Sequence, residues 1–324
     1  MGLNEQKSEW MWRNGEWVRW EDATVHVTAH ALHYGSSVFE GIRAYATPDG
    51  PAVFCLDAHV RRLFDSCKIA RIPVPYSPAE IASAIVETVD RNRHTSCYIR
   101  PMVFRGSEVI GLDGRACPTE VVIFTIDWGR YLGADAIEQG IDVMVSSWRR
   151  MAPDTLPAMA KIGGQYIGSQ LITMEAKENG FHEGIGLDVN GYVAEGAGEN
   201  IFLVMNDVLY TPPVAASVLA GITRQCVMTL AGALGYEVRE QMIAREMLYI
   251  ADEIFLTGTA AEITPVRSVD RLPVGNGERG PVTRQIQDQF FAITSGHAPD
   301  RFDWLTPVRE TSVSYGIARS FDGY

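Results

Sequence analysis

The sequence has 324 residues, of which 46% are hydrophobic and 10% aromatic, which is enough for one large or two moderate domains with packed cores. Its formal net charge of -12 at pH 7 argues against nucleic acid or anionic lipid as a partner. Five widely spaced cysteines, with no C-x-x-C pair, indicate neither a disulfide framework nor a zinc site, so no metal is expected. The first ten residues lack the basic start and apolar run of a secretion signal, and no stretch approaches the ~18 apolar residues of a membrane span. We therefore expect a cytoplasmic protein with no membrane partner.

The N-terminal region predicts a small α/β unit. Asn14-Gly15 lies between two tryptophan-rich runs and predicts a hairpin. Asp57 is expected to cap a helix, and Ser77-Pro78-Ala79-Glu80 predicts a capping box that opens a second helix. Strand-like runs, which surround both helices, are Ala52 to Leu56, Cys97 to Phe104 and Val121 to Ile126. This region is expected to form one domain over residues 1–126.

Glycines and bulky aromatics interrupt the strand pattern after residue 126, which predicts an interdomain loop over residues 127–137. Residues 138–324 are then expected to form a larger domain with a C-terminal tail from about Thr311. The predicted strands of this domain are Ile141 to Ser146, Gly184 to Val189, Tyr192 to Ala194, Asn200 to Val204 and Glu253 to Thr257. Helices are predicted near residues 164–179, 222–234 and 282–293. The fold class is therefore α+β.

Lys161 is the first candidate for chemistry, because it stands among small and apolar residues just before a helical pattern. A lysine that binds a carbonyl compound covalently has to lose its proton near neutral pH, which requires partial burial or neighbouring positive charge. Taken alone, Lys161 would be a solvated surface lysine. The interpretation of Lys161 as a reactive lysine depends on partner residues elsewhere in the chain.

Glu195 is the candidate partner of Lys161. Asn190-Gly191 is expected to form a type I′ turn, which puts Glu195 at the end of the strand that follows, beside Gly196-Ala197-Gly198. A carboxylate held there can protonate a pyridine nitrogen, so lysine and acid together point to pyridoxal phosphate. The alternative is that Glu195 and Glu199 are charges at a hairpin edge.

Two turns offer backbone N–H groups and a threonine hydroxyl to a phosphate, namely Gly221-Ile222-Thr223 and Gly258-Thr259-Ala260. Each is equally compatible with an ordinary helix or turn start. Gly275 to Gly280 matches the dinucleotide pattern G-x-G-x-x-G, but only a short, proline-broken run precedes it, so a surface loop is predicted. His26, His30 and His33 have no nearby carboxylate or thiol ligands in sequence and are interpreted as structural.

With lysine, acid and phosphate turns in this order, the chain resembles branched-chain amino acid aminotransferases of the fold type IV pyridoxal phosphate family over roughly Trp10 to Val308. The stretches that carry the resemblance are His33 to Arg43, Tyr98 to Pro101, Ala160-Lys161, Leu187 to Asn200 and Gly258 to Val266. It implies the two-domain D-amino acid aminotransferase-like fold, with a small N-terminal and a larger C-terminal domain. It also implies a homodimer or a homohexamer built as a trimer of dimers.

The resemblance further implies that Lys161 is the catalytic residue, which binds pyridoxal 5'-phosphate covalently and moves the substrate proton. Glu195 would hold the pyridine nitrogen protonated, and Arg62 would pair with the phosphate. Tyr166 would bond the phenolic oxygen and Leu219 would pack on the ring. The remaining phosphate ligands implied are Gly221, Ile222, Thr223, Gly258 and Thr259.

For the substrate, the resemblance implies that Tyr98 and the amides near Thr259 and Ala260 hold the α-carboxylate. Arg100 would receive the distal carboxylate of glutamate, since one pocket has to accept both an isobutyl group and a charged propionate. The residues implied to line the side-chain pocket are Tyr34, Phe39, Gly41, Leu112, Tyr131 and Tyr166. Leu112 belongs to the loop Arg105 to Asp113, which in relatives reaches the neighbouring subunit's site.

The expected reaction is reversible amino transfer from L-leucine, L-isoleucine or L-valine to 2-oxoglutarate by a ping-pong mechanism. The rivals on the same fold are a D-amino acid or (R)-amine transaminase and an aminodeoxychorismate lyase. A noncatalytic cofactor-binding or interaction protein is a rival of another class. Tyr98, Arg100 and the Phe39 and Gly41 pair favour the branched-chain L-amino acids, and retention of Lys161, Glu195 and Arg62 argues against an inactive site.

Overall fold

The computed structural model describes residues 7–129 and 135–308, which form two β-sheets with helices packed on them. The strands of the first sheet are β1 (Trp10–Arg13), β2 (Glu16–Arg19), β3 (Ser37–Phe39), β4 (Ile42–Thr47), β5 (Gly50–Phe54), β6 (Cys97–Arg105), β7 (Thr119–Ile126) and β18 (Leu305–Pro307). Those of the second are β8 (Ile141–Arg149), β9 (Glu183–Leu187), β10 (Tyr192–Gly196), β11 (Asn200–Met205), β12 (Val208–Thr211), β13 (Glu237–Glu240), β14 (Ile243–Ala244), β15 (Glu253–Gly258), β16 (Glu262–Val269) and β17 (Leu272–Pro273). The helices are α1 (His30–Tyr34), α2 (Leu56–Ile69), α3 (Pro78–Arg91), α4 (Ala136–Gln139), α5 (Tyr166–Glu178), α6 (Ile222–Ala233), α7 (Met247–Ile250) and α8 (Pro281–Thr294).

The first sheet is antiparallel, with the strand order β18-β5-β4-β6-β7-β1-β2, and β3 also pairs with β6. The predicted hairpin is present, and both Asn14 and Gly15 have the positive φ that a tight turn of this kind requires. Helices α2 and α3 cover the sheet, with Leu63 and Ile85 fully buried in the shared core. Ser77 and Glu80 form the predicted capping box. The cap predicted for α2 was wrong, because the helix begins one residue before Asp57 and Cys55 is its N-cap.

The second sheet is mixed, with the order β13-β12-β11-β15-β16-β8-β9-β10-β14, and β17 also pairs with β16. Parallel pairs join β8 to β9, β8 to β16 and β12 to β13. Its central strands are buried on both faces: Ile201 and Leu203 of β11 pack in one core, while Phe202 packs with α6 and α8 in the other. This double burial explains the uninterrupted apolar run of β11.

The hairpin that carries Glu195 differs from the prediction of a type I′ turn. Gly191 has positive φ but Asn190 does not, and the Asp188 carboxylate accepts N–H groups from Asn190 and Tyr192 at 2.9 Å each. The side chain of Asp188 therefore shapes a longer, three-residue loop. Between Val193 and Glu195 the register with β9 shifts, and bulges of this kind re-aim a side chain beside a functional site.

The two sheets meet along a few direct bonds. The Phe39 amide donates to the Lys161 carbonyl at 3.1 Å, and Arg43 of β4 donates to the carbonyls of Thr259 and Ala260 at 2.8 and 3.1 Å. These bonds place the ends of β3 and β4 against the segment that contains Lys161 and against the β15–β16 turn. The junction is where the predicted site residues gather.

The division of the chain into residues 1–126, 127–137 and 138–324 stays a prediction, and the structure adds that β18, near the end of the chain, pairs with β5 of the first sheet. Tyr131 and the tail predicted from Thr311 lie outside the described residues. None of the helices within the described ranges combines the length and apolar character that crossing a bilayer requires.

Candidate active site

A cavity of about 390 Å³ opens between the two sheets and contains most of the predicted site residues. This volume is within the range of small-molecule sites. Its walls include these predicted residues: Phe39, Gly41, Arg62, Tyr98, Arg100, Lys161, Tyr166, Leu219, Gly221, Ile222, Thr223, Gly258, Thr259 and Ala260. Residues that are distant in the sequence are thus brought to one site by the sheet junction.

Lys161 projects into this cavity. Its Nζ donates to the Tyr166 hydroxyl at 2.6 Å and lies 4.9 Å from the centre of the Phe39 ring. Its backbone is fixed on both sides, because its amide donates to Ser66 Oγ at 3.0 Å and its carbonyl accepts the Phe39 amide. The amine is therefore held at a defined position with one polar partner, as a reactive lysine requires.

Glu195 lies behind Lys161 in a smaller adjoining cavity of about 40 Å³. Its Oε2 accepts from Asn200 Nδ2 and from the Leu219 amide, each at 3.0 Å, and its Oε1 is 2.5 Å from Arg150 Nη2. Burial raises the pKa of Glu195, while the Arg150 guanidinium and then the Leu219 amide oppose that rise. Three donors, one of them a cation, therefore favour the ionised carboxylate in a buried place.

Glu199 lies in the loop that follows β10 and differs from Glu195 in its surroundings. Its Oε2 accepts the Gly198 amide at 3.1 Å, and none of its partners in the described chain is a cation. Burial, followed by the nearby carboxylate of Glu183, raises the pKa of Glu199 to about 8. Both cavities are lined by Glu199, so a carboxyl group whose surroundings favour its neutral form lies in their shared wall.

The first turn of α6 and the Arg62 side chain face the same part of the larger cavity. Gly221 is the N-cap of α6, no side chain caps the helix, and Arg62 Nη1 donates to the Ala220 carbonyl at 2.9 Å. A Cβ at Gly221 would lie 1.8 Å from Asn200 Oδ1, so only glycine fits here. Uncapped N–H groups beside a guanidinium make a site for a phosphate or another anion.

The opposite wall is aromatic and carries an arginine. Arg100 lies 4.7 Å above the Phe39 ring, and its Nη2 donates to the Tyr98 hydroxyl at 3.0 Å. Its Nε is buried and has no hydrogen-bond partner within the described residues, and the same is true of the Thr257 hydroxyl in the wall. Unsatisfied buried donors of this kind point to a polar ligand.

Among the described residues, two predicted ones line neither cavity. Tyr34 and Leu112 lie on the surface of the chain, and 87% of Leu112 is exposed. Tyr131 falls outside the described residues. The roles assigned to every site residue stay predictions, although the geometry brings the others together.

Sequence reasoning gave no role to Glu40, Arg43, Arg150 and Asn200, which bond directly to predicted site residues. Glu40, Arg43 and Asn200 lie inside stretches that carried the family resemblance, but the resemblance assigned no role to them. Arg150 had no signal, since Arg149-Arg150 reads as an ordinary surface pair of charges.

Comparison with known proteins agrees with the family resemblance of the sequence. A family model described as amino-transferase class IV matches residues 37–269. The branched-chain-amino-acid aminotransferase of Escherichia coli (strain K12) is 53% identical over 309 residues, which covers 95% of this chain and 100% of that protein.

Two solved structures are also similar. A crystal structure of the Escherichia coli branched-chain amino acid aminotransferase has a TM-score of 0.92 at 54% identity and covers 94% of this chain and 100% of that one. The T.th. branched-chain amino acid aminotransferase complexed with N-(5'-phosphopyridoxyl)-L-glutamate has a TM-score of 0.89 at 43% identity and covers 94% and 99%. The predicted fold class and family are confirmed.

Gly41→Ala tests the wall beside Tyr98. A Cβ at position 41 would lie 2.0 Å from the Tyr98 hydroxyl, so the phenol has to leave the position at which it accepts the Arg100 bond. We expect the KM for L-leucine to rise at least about tenfold, as loss of one charge-assisted bond would give, with a smaller change in kcat. Gly168→Ala is the matched control, since its Cβ would meet open space. Steady-state kinetics measure both, and an unchanged KM in Gly41→Ala would contradict the placement of Tyr98.

Proposed function

This chain belongs to the amino-transferase class IV family, and we propose that it transfers the amino group of L-leucine, L-isoleucine or L-valine to 2-oxoglutarate, reversibly and with pyridoxal 5'-phosphate as cofactor. The observation that carries the proposal is the convergence of Lys161, Arg62 and the start of α6 in one cavity with Arg100 on its far side. The relatives named above are branched-chain aminotransferases by name, and one was solved with a phosphopyridoxyl-glutamate compound.

The cavity fits this cofactor. Arg62 and the uncapped N–H groups of Ile222 and Thr223 suit a phosphate at one end. Thr257 lines the cavity, and its buried hydroxyl has no hydrogen-bond partner in the described parts of the chain. Glu195, with its three donors, suits a protonated ring nitrogen behind Lys161. Leu219 offers an apolar side chain to a ring between these ends.

Pyridoxal phosphate, when bound, supplies an electron-withdrawing ring and carries the amino group between the two half-reactions of a ping-pong mechanism. Side chains of the protein supply the proton transfer and control the charge of the ring. Lys161 Nζ would take the proton from the substrate α-carbon and deliver it to the cofactor, and Tyr166, at 2.6 Å, orients that amine. Arg150 favours the ionised form of Glu195, and Glu195 in turn would hold the ring nitrogen protonated.

Substrate choice follows from the far wall. Phe39 gives a branched alkyl group an apolar surface, while Arg100 stands over the same ring with its Nε unsatisfied among the described residues. An isobutyl group can lie against the ring and leave the guanidinium in place, whereas a propionate can bond to it. One pocket therefore accepts both partners of the reaction. We propose that Tyr98 and the Thr259–Ala260 turn bind the α-carboxylate. Arg43 holds this turn in place by donating to the carbonyls of Thr259 and Ala260.

We also propose that the active unit is a homodimer or a homohexamer. Ile110 and Leu112 are 72% and 87% exposed, and the Gly111 carbonyl between them accepts from His30 of α1, so Leu32 and Tyr34 are on an adjacent surface. An exposed apolar patch of this kind is typical of an interface. A second copy that brings Tyr34 and Leu112 to its neighbour's cavity accounts for their distance from their own.

The first test is the absorption spectrum of the purified protein loaded with pyridoxal phosphate. A near-visible band should disappear when L-leucine is added without any oxo acid, and D-leucine should leave it unchanged. Lys161→Ala should keep its circular dichroism spectrum but lose turnover, because no other amine lines the cavity among the described residues. A band that D-leucine or an (R)-amine discharges, or substantial turnover by Lys161→Ala, would reject the proposal. Pyruvate release without an acceptor would favour the lyase.

Arg100→Met tests the dual specificity. Loss of the guanidinium should raise the KM for 2-oxoglutarate about 10- to 100-fold, the equivalent of one charged hydrogen bond, and should change the L-leucine half-reaction little. Single-turnover measurements of each half-reaction separate the two effects. Arg239→Met, a change at an exposed arginine on β13, serves as the control. Equal losses in both half-reactions would show that Arg100 does not select the acidic substrate.

Oligomeric state has its own test. Light scattering coupled to size-exclusion chromatography should give two or six chains per particle for the wild type. The double change Ile110→Glu and Leu112→Glu should shift the mass toward one chain and lower activity, because it puts charge into the proposed interface. A wild type that is active as a monomer would remove this part of the proposal.

A further inference from the structure

Glu40 is a buried charge next to the site that the proposed reaction does not use. It lies between Phe39 and Gly41, which both line the cavity, but its own side chain is fully buried outside the wall. Nε and Nη2 of Arg62 donate to Oε1 and Oε2 of Glu40 at 2.6 and 2.8 Å. Two parallel bonds of this kind fix the plane of a guanidinium.

The other bonds to Glu40 hold the carboxylate itself in place. His59, one turn before Arg62 on α2, donates from Nδ1 to Oε2 at 2.8 Å, and the Gly41 amide donates to the same oxygen at 3.2 Å. Burial alone would raise the pKa of Glu40, but the Arg62 guanidinium and His59 outweigh it and keep that pKa well below its usual range. Glu40 is therefore an ionised carboxylate that accepts four hydrogen bonds, three of them at Oε2.

Arg62 is thereby held from two sides. Its Nε and Nη2 are bound to Glu40, while Nη1 reaches the Ala220 carbonyl beside the start of α6. A free arginine side chain loses rotamer entropy when it binds a ligand. In this structure the side chain is already ordered, and the edge of the guanidinium that borders the cavity is directed toward the N-terminus of α6.

We infer that Glu40 is a positioning residue, which acts through Arg62 to pre-orient the group that binds the cofactor phosphate. The inference rests on the proposed function, which places that phosphate at Arg62. His59 supports it by binding the same Glu40 oxygen from the preceding turn of α2, so the side chains of His59, Glu40 and Arg62 form one hydrogen-bonded cluster beside the proposed phosphate site.

Charge alone predicts the reverse effect. A carboxylate next to Arg62 reduces the attraction of the site for a dianionic phosphate, so its removal should tighten binding if Glu40 only balanced charge. If Glu40 positions Arg62, its removal should weaken binding, because the guanidinium loses both bonds and has to be ordered by the ligand. The two hypotheses therefore predict opposite changes in the dissociation constant of pyridoxal phosphate when Glu40 is replaced.

The experiment compares Glu40→Gln, which removes the charge and keeps the shape, with Glu40→Asp, which keeps the charge and withdraws the carboxylate. Pyridoxal phosphate is titrated into each full-length apoprotein by absorbance, and the phosphorus resonance of the bound cofactor is recorded. We expect both variants to raise the dissociation constant about 10- to 100-fold, as loss of a charged hydrogen bond gives, and to shift the phosphorus resonance. In an Arg62→Met background, Glu40→Gln should add no further loss.

Glu253→Gln is the matched control. Glu253 is a buried glutamate that accepts three bonds at the start of α8, at the end of β15 remote from the cavity. Its change should lower the melting temperature of the apoprotein and leave the dissociation constant unaltered.

An equal or lower dissociation constant in Glu40→Gln, with the wild type binding normally, overturns the inference. A wild type that fails to bind pyridoxal phosphate instead rejects the proposed function. If Glu40→Gln does not fold, Glu40→Asp decides, because it keeps the charge that Arg62 needs: a wild-type dissociation constant in that variant overturns the inference.

Discussion

The site depends on one constraint: the charges buried where the two sheets meet have to be paired there. Arg62 is paired with Glu40, and Arg150 with Glu195, and in each pair at least one partner is fully or almost fully buried. An unpaired charge in such a place costs several kcal/mol, so each pair fixes the elements that carry its members. The pairs thus serve both the fold and the chemistry, since the same bonds that satisfy burial also orient the groups that face the cavity.

The junction between the sheets sets the distances within the site. A backbone bond ties Phe39 to Lys161, and Arg43 reaches across to the Thr259–Ala260 turn. The tripeptide Phe39-Glu40-Gly41 therefore contributes three different things within three positions: an aromatic wall, the partner of the phosphate arginine, and the space that Tyr98 needs. A small shift of β3 would disturb the cofactor end and the substrate end together.

Local signals in the sequence were enough for much of the fold. The Asn14-Gly15 hairpin and the Ser77 capping box depend on neighbouring residues alone, and both were predicted and are present. The turn before Glu195 was predicted wrongly, because the Asp188 side chain competes with the backbone preference of Asn190. Strands β3, β4, β12, β13, β16 and β18 are among those that were missed; β16 forms a hairpin with β15 and is held on its other side by β8, which is distant in the sequence. Partners such as Arg150 could not be found for the same reason: its bond to Glu195 follows from the packing of β8 beside β9, not from any pattern in the chain.

Glu195, in β10, and Glu199, in the loop that follows, show how surroundings separate groups of one chemical type. Glu195 and Glu199 are equally buried and only four residues apart, but Glu195 has Arg150 and two N–H donors, whereas Glu199 has one backbone donor and the Glu183 carboxylate nearby. Glu195 is therefore the more easily ionised, whereas burial and the Glu183 carboxylate raise the pKa of Glu199 to about 8 and favour its neutral form. A second negative charge there would compete with Glu195 for Lys161 and for any cationic ring in the cavity. Keeping Glu199 neutral leaves a single defined anion behind Lys161, which is the arrangement that holding a ring nitrogen protonated requires.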